Sequence, residues 1–428
     1  MKKWMLVGIG GAIFLTGLLG SVCTSAMSTG GSQMVKQSIM ASSTGANSGS
    51  FKDIKTSHWA KAAIDAAVQK GYFKGYADGT FKPNATVTRA EFAALLARVS
   101  KAEPNGDSAN QAFSDLAGHW SETEVNRAVA LGYISPGDYP NGFKPATAVT
   151  RMEIAKWMTS GLATADPDYK QAIEDTKKTV LPLKEYFANS LSQQQTPYIA
   201  VAMGTEIMSG YPDGSFGLNK SLTRAEAATV LLNLDRAMGK KADSFLGLKE
   251  LRQVGTEGTN LETLTPFTSH HTLEKVIGKP DTFSNNAGSI VLHHYIAVDT
   301  QDINHVKGTY GSAFVDPSDR ENEDNRFYKP GLYSIFMQVT IIPKTKKFNV
   351  DYYFGGIRDG LVIGGKIHNN LPSKYGYLTM PNQDTEEFFA KHNKANGVTL
   401  WMVQYISKDD LSTMLTDDGS VAALGEKK

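Results

Sequence analysis

The 428-residue chain has one cysteine, Cys23, and it lies near the start. Lys2 and Lys3 precede an apolar run from Trp4 to Gly20, and the small residues Thr24-Ser25-Ala26 follow. Basic, apolar, then small is the order of a secretory signal peptide, here residues 1–26 with cleavage after Ala26. The alternative is an uncleaved membrane anchor. The run falls short of the ~20 apolar residues that span a bilayer and is rich in Gly, so no membrane segment is expected after cleavage. Gly20 also stands where a lipoprotein signal normally has Leu, which argues against lipidation of Cys23. Loss of the signal leaves no cysteine. Disulfides, thiolate-held metals and cysteine nucleophiles are then excluded, although the compartment outside the cell permits disulfides.

An excess of charge of either sign is also missing: Lys plus Arg is 44 and Asp plus Glu is 43. Nucleic acid is therefore not an expected partner, because phosphate binding calls for a basic surplus. No GxSxG or HExxH motif occurs. His270-His271 and His293-His294 offer at most one ligand per strand face, too few for zinc, so no metal and no cofactor are expected. The acidic run from Asp316 to Asp324, with Asp319, Glu321 and Glu323, lacks the spacing of a calcium loop and reads as solvated.

What the chain does have is repetition. Residues 27–50 are Ser-, Thr- and Gly-rich and read as a flexible linker. From residue 51 a pattern recurs. Phe51, Asp53, His58-Trp59, Gly71-Tyr72, Phe81-Lys82-Pro83, Thr88-Arg89 and Glu91 return as Phe113, Asp115, His119-Trp120, Gly132-Tyr133, Phe143-Lys144-Pro145, Thr150-Arg151 and Glu153. A third copy carries Thr223, Arg224 and Glu226. The three arginines lie 62 and then 73 residues apart. The units are bounded at 51–103, 110–164 and 165–241, and residues 245–428 do not repeat.

Each unit reads as helix, loop, helix. The first helix is expected near Ser57 as N-cap, with Trp59, Ala63, Ala66 and Ala67 on one face and Gly71 as its stop. The second starts at Thr88, with Phe92, Leu95, Leu96 and Val99 at helical spacing. Such a pair is too small to be stable alone, so neighbouring units must share a core. The third unit is degenerate. Twelve residues before Gly204, where Trp59 stands before Gly71, is Ser192, and the spacing Gly71/Gly75 widens to Gly204/Gly210. Its first helix is expected to begin at Thr196-Pro197 with Tyr198 as apolar anchor. The stretch LPLKEYFANSL is expected to be an inserted helix.

The Thr-Arg-x-Glu element predicts a capping box at Thr88/Glu91, Thr150/Glu153 and Thr223/Glu226. Capping leaves the arginine unexplained, since a cation in the first turn opposes the helix dipole. Arg89, Arg151 and Arg224 are therefore candidates for binding a carboxylate, with an intramolecular ion pair as the structural alternative.

The phenylalanine-aspartate, His-Trp, Gly-Tyr, Asp-Gly-Thr-Phe and Thr-Arg-Ala-Glu elements together resemble S-layer homology repeats, over roughly residues 51–238. The resemblance implies a three-pronged, pseudo-trimeric helical spindle. Its grooves would hold secondary cell-wall polysaccharide, often bearing a pyruvate ketal, which is a carboxylate. It carries polysaccharide binding onto Arg89, Arg151 and Arg224, and also onto Asp53, Asp115, Trp59 and Trp120. Each Trp has a second reading as a buried helix anchor. His58 and His119 read as loop-to-helix boundary residues.

Residues 245–428 are expected to form an α+β domain with a mainly antiparallel sheet. The strands are SIVLHHYIAV, LYSIFMQVTII, FNVDYYF, LVIGGKI and VTLWMVQYI, with helices near Leu273–Ile277 and Thr385–Asn393. Three functional readings stay open. One is a secreted surface protein anchored by its repeats, with possible S-layer partners and a C-terminal binding or structural module. The others are an anchored hydrolase and an envelope protein that binds peptidoglycan directly.

Overall fold

The computed structural model describes residues 51–100, 112–302, 305–316, 331–407 and 412–427. The signal and linker expectations, and the acidic run beyond Asp316, fall outside these residues.

The repeat region is helical: α1 (Lys61–Gln69), α2 (Arg89–Val99), α3 (Glu122–Ala130), α4 (Arg151–Ala165), α5 (Pro167–Asp175), α6 (Lys184–Phe187), α7 (Thr196–Gly204) and α8 (Arg224–Ala237). A further helix, α9 (Leu246–Glu257), leads into the C-terminal region. Partners are exchanged around a circle. α2 packs on α3 of the next unit, α4 on α7, and α8 returns to α1. α1 is Ala-rich and short, and it buries Ile64 and Ala67 together with Ala60 just before it. It begins later than expected, with no side-chain cap from Ser57, because tight turns occupy residues 55–61. Trp59 therefore precedes the helix instead of sharing its face, and the buried stripe is 60/64/67. α2 and α8 bury nearly all their apolar residues. Each large side chain so buried contributes about 1.5–3 kcal/mol.

The circle is closed by backbone hydrogen bonds. The Val87 N–H donates to Leu222 O (3.0 Å), the Leu222 N–H to Val149 O (3.3 Å), and the Val149 N–H to Val87 O (3.0 Å). Each residue comes from a different unit.

The C-terminal region contains β1 (Phe267–His271), β2 (Pro280–Thr282), β3 (Gly288–Val298), β4 (Tyr333–Pro343), β5 (Val398–Ile406), β6 (Thr413–Leu415) and β7 (Val421–Glu426). They form an antiparallel four-stranded sheet, β2-β3-β4-β5, and an antiparallel three-stranded sheet, β1-β7-β6. β3, β4, β5 and the helix Thr385–His392 lie where the sequence places them. Two expected strands do not form. FNVDYYF is the helix Val350–Gly356, because the Asn349 side chain accepts from the N–H groups of Asp351 and Tyr352 and so caps it. LVIGGKI makes a 3₁₀ turn, Gly360–Val362, and a single bridge from Gly365 to Val403. The helix expected at Leu273–Ile277 is a 3₁₀ turn over Leu273–Lys275.

Both faces of the four-stranded sheet are covered, which explains the near-continuous apolar runs of β3, β4 and β5. Ile290, Leu292, Ile335, Met337 and Met402 belong to the C-terminal core. Ile296, Val298, Phe336, Trp401 and Val403 join the core of the repeats. Phe187, from the third unit, lies 4.8 Å from Tyr377 and 6.0 Å from Trp401 between ring centroids. The third unit and the C-terminal region thus share one core across the expected boundary at 241–245.

Candidate functional site

Each unit contributes a loop that a carboxylate folds. In unit one, Asp53 accepts from the backbone N–H groups of Phe81 (2.8 Å) and Lys82 (2.7 Å). Asp115 does the same for Phe143 (3.0 Å) and Lys144 (2.7 Å). In both loops the second residue is left-handed, at φ 57° for Lys82 and 53° for Lys144. The two N–H groups then converge on one carboxylate. The candidates Asp53 and Asp115 therefore hold their own loops.

The third unit has the same joint with a different residue. Glu185 accepts from Phe216 (2.9 Å) and from Gly217 (2.8 Å), whose φ is 75°. The stretch read as an insertion does contain the short α6, but it also opens the unit. Leu183-Lys184-Glu185 replaces Phe51-Lys52-Asp53, and the Lys184 N–H donates to Gly214 O as that of Lys52 does to Gly79 O. The added helix is α5 instead.

The end of the third unit's first helix also differs from expectation. The left-handed residue after α7 is Glu206 (φ 60°), matching Gly71 (φ 75°) and Gly132 (φ 77°). Glu206 and Gly210 are four residues apart, as are Gly71 and Gly75, so the loop has not widened. The position of Trp59 and Trp120 is taken by Gln194. α7 itself starts at Thr196 with Pro at the first turn and Gln195 at the cap position, and Tyr198 is only partly buried.

The three Thr-Arg-x-Glu elements form reciprocal capping boxes. Thr88, Thr150 and Thr223 each accept from the N–H three residues on, and Glu91, Glu153 and Glu226 reach back to the cap N–H at 2.9 Å.

The arginines beside them cross to the next unit. Arg89 donates from Nε to Glu153 Oε1 (2.8 Å) and from Nη1 to Phe143 O (3.0 Å), over the ring of Tyr139. Arg151 donates from Nε to Phe216 O (2.8 Å) and from Nη2 to Ser209 O (2.6 Å), over Tyr211. Arg224 donates from Nε to Phe81 O (2.9 Å) and from Nη2 to Lys74 O (3.1 Å), over Tyr76. Unit one thus holds the loop of unit two, two that of three, and three that of one. Among the described residues only Arg89, of the three, makes the ion pair weighed as the structural alternative. Arg151 is 5% exposed. Burial lowers the pKa of Arg224, against the charge of Tyr76, Glu91 and Asp53. The platform tyrosines Tyr76, Tyr139 and Tyr211 were not singled out from sequence, although Tyr-x-x-Gly recurs in all three loops.

Trp59 is 67% and Trp120 49% exposed, so neither is a buried anchor. His58 and His119 fix the turn beneath them: their Nδ1 atoms accept from the N–H of Ala60 and Ser121.

In the C-terminal region, a bulge at His293 breaks simple alternation in β3. His293 Nε2 meets Thr340 Oγ1 and His294 Nδ1 meets Gln338 Oε1, each at 2.7 Å. Burial pushes His294 down to about 4. Glu250 is buried with Asn260 and Thr309 as donors, and burial raises it to about 7. Tyr353 and Trp401 are core, while Tyr352 and Phe354 are exposed. Among the described residues no group of three or more His, Cys, Asp or Glu is placed to hold a metal. No helix among them is long and apolar enough to cross a membrane.

The family model for the S-layer homology domain matches residues 50–93, 112–155 and 192–228. The chain is 43% identical over 120 residues to cell surface glycoprotein 1 of Acetivibrio thermocellus, covering 26% of this chain and 5% of that protein. It is 41% identical over 117 residues to the cellulosome-anchoring protein of the same organism, covering 26% of each. It is 25% identical over 221 residues to the S-layer protein EA1 of Bacillus anthracis, covering 50% of this chain and 24% of that protein. The chain thus spans about a quarter or less of these relatives. It carries three S-layer homology domains, which are non-catalytic, and it is a secreted protein associated with the cell wall at the cell surface.

Proposed function

We propose that these three domains hold the chain non-covalently on the cell wall by binding a carboxylate-bearing, pyruvylated secondary wall polysaccharide. The closed circle of units is read as the three-pronged, pseudo-trimeric spindle. The polysaccharide lies in the joints between prongs, where Arg89, Arg151 and Arg224 cross beside helix N-termini that favour an anion. The observation that carries this reading is the family match over all three units together with the exposure of Trp59 and Trp120. An indole left in water in two of the three units is suited to a sugar face.

The arginines also hold the fold together, so they are poor first probes. Cosedimentation of the chain from residue 51 with native wall, and with wall stripped of secondary polysaccharide, is the test. Wild type is expected to pellet only with native wall, and the double variant Trp59→Ala/Trp120→Ala to lose most of that binding with its melting temperature unchanged. Equal binding to stripped wall would favour direct recognition of peptidoglycan instead. Residues 245–428 are read as a binding or structural module built onto the third prong, because the two share a core.

A further inference from the structure

A cleft of about 460 Å³ lies between the end of β5 and the segment 360–368, away from the repeat joints. Phe354 and Ile363 line it and are 50% and 44% exposed, an apolar edge that water solvates poorly. Lys366 lines it too. It is partly buried and has neither an ion pair nor a side-chain hydrogen bond among the described residues. An ammonium on the wall of a cleft can meet an incoming anion through a charge-assisted hydrogen bond.

The floor is bare backbone. Gly365 exchanges two hydrogen bonds with Val403 (2.9 and 3.1 Å), and a Cβ at Gly365 would meet nothing within 4 Å. Gly364 beside it is packed against Met337 and Met402. Gln404 is held from below by donating Nε2 to Tyr295 Oη (2.6 Å) and Leu361 O (3.2 Å), which leaves its amide oxygen as a fixed acceptor.

We propose that this cleft binds a saccharide bearing a carboxylate. The ring face lies on Phe354 and Ile363, the carboxylate meets Lys366, and ring hydroxyls meet Gln404 and Ser412. The volume is in the range of ligand sites, roughly 300–1,000 Å³. Lys366 beside an aromatic ring and neutral hydrogen-bonding groups, with His368 also on the lining, suits an acidic sugar. It does not suit nucleic acid, which needs many cations. A peptide strand would need the edge of β5 at Val403, and Gly365 already occupies it. The inference rests on the anchoring reading only for the origin of the sugar, a wall polymer within reach.

The test is calorimetric titration of the chain from residue 51 with trigalacturonate, cellotriose and the dipeptide D-Ala-D-Ala. Wild type is expected to bind trigalacturonate at least about tenfold more tightly than cellotriose, the value of one charge-assisted contact. Lys366→Gln is expected to remove that preference, and Gly365→Phe, which fills the floor, to abolish binding of both sugars. Both variants are expected to cosediment with native wall as wild type does. No binding of trigalacturonate by wild type would overturn the proposal, as would binding unchanged in Lys366→Gln, which would assign the sugar to the repeats. Binding of the dipeptide alone would overturn it in favour of a peptide. If Gly365→Phe does not fold, Lys366→Gln still decides. Wall binding lost in wild type with trigalacturonate binding kept would sink the anchoring reading and leave this one standing.

Discussion

Units one and two differ from unit three in ways that separate what the joint requires from what it merely tends to use. All three loops need a carboxylate beneath two consecutive N–H groups. Asp53 and Asp115 supply it two residues after a phenylalanine, while Glu185 supplies it two after a leucine, three or four residues further from the unit's first long helix. All three first helices end on a left-handed residue, but in unit three that residue is Glu206 instead of glycine. The geometry is kept while the chemistry varies. What sets unit three apart is its surroundings. Lys374 donates to Pro212 O (3.1 Å) and Tyr375 lies against Gly214, so the C-terminal region covers its loop.

The strongest way to break the comparison is at the arginines. Arg151→Ala removes a buried guanidinium from two carbonyls and two aromatic rings. It is expected to cost about 3–4 kcal/mol in chemical denaturation. Arg89→Ala and Arg224→Ala, at less buried joints, are expected to cost less. Equal losses at all three would show that the C-terminal cover adds nothing.

Next is the carboxylate. Glu185→Ala leaves two N–H groups without their acceptor and is expected to cost about 2–3 kcal/mol. Asp53→Ala and Asp115→Ala are expected to cost less, because those residues are more exposed and water reaches the freed donors.

The glycines sharpen the comparison further. Gly79 and Gly214 share a left-handed φ of 80° and 89°, so alanine costs each about 1 kcal/mol. At Gly79 the new methyl meets the flexible end of Lys52. At Gly214 it meets the Tyr375 ring at 2.9 Å. Gly214→Ala is expected to exceed Gly79→Ala by about 1–2 kcal/mol in melting experiments.

The last comparison is a pH dependence carried by two buried groups on the C-terminal side, Glu250 and His294. Glu250 rises to about 7 when folded, so between its ordinary value and 7 the native state binds more protons than the unfolded one. Its contribution therefore falls as pH rises through that window. His294 is held neutral down to about 4, and its contribution is lost as pH falls below its ordinary value. The two oppose each other. Glu250→Gln is expected to gain stability relative to wild type as pH rises from 5 to about 7.5, measured as denaturation midpoints.

Units one and two were legible in the sequence because their joints use residues with one strong conformational meaning each: glycine at the helix stop, aspartate beneath the loop, Thr-x-x-Glu at the cap. Unit three was legible only from Tyr211 onward. Glu206 adopts a conformation that glycine would have signalled, and anchoring the comparison on Gly204 shifted the count by two residues. Glu185 stayed hidden because glutamate has no preference for such loops and α6 gave its segment a helical look. In the C-terminal region the long strands were plain from their β-branched and aromatic runs. FNVDYYF misled because its composition suits a strand while Asn349 caps a helix. β6, three residues long, and β7, Ala-rich, carry little strand signal. The cleft had no sequence signature, since its residues come from separate segments.

The circle through Val87, Leu222 and Val149 has a consequence in time. Residues 87 and 222 are neighbours in space but 135 positions apart along the chain, and α1 rests on α8. A chain that leaves its exit N-terminus first presents α1 long before its partner exists. The opening unit therefore waits, incompletely packed, until about residue 237 has followed it. A linear stack of repeats would settle one unit after another. Here completion is deferred to the last arrival, and the number of units is fixed at three, because a fourth has no open end to join.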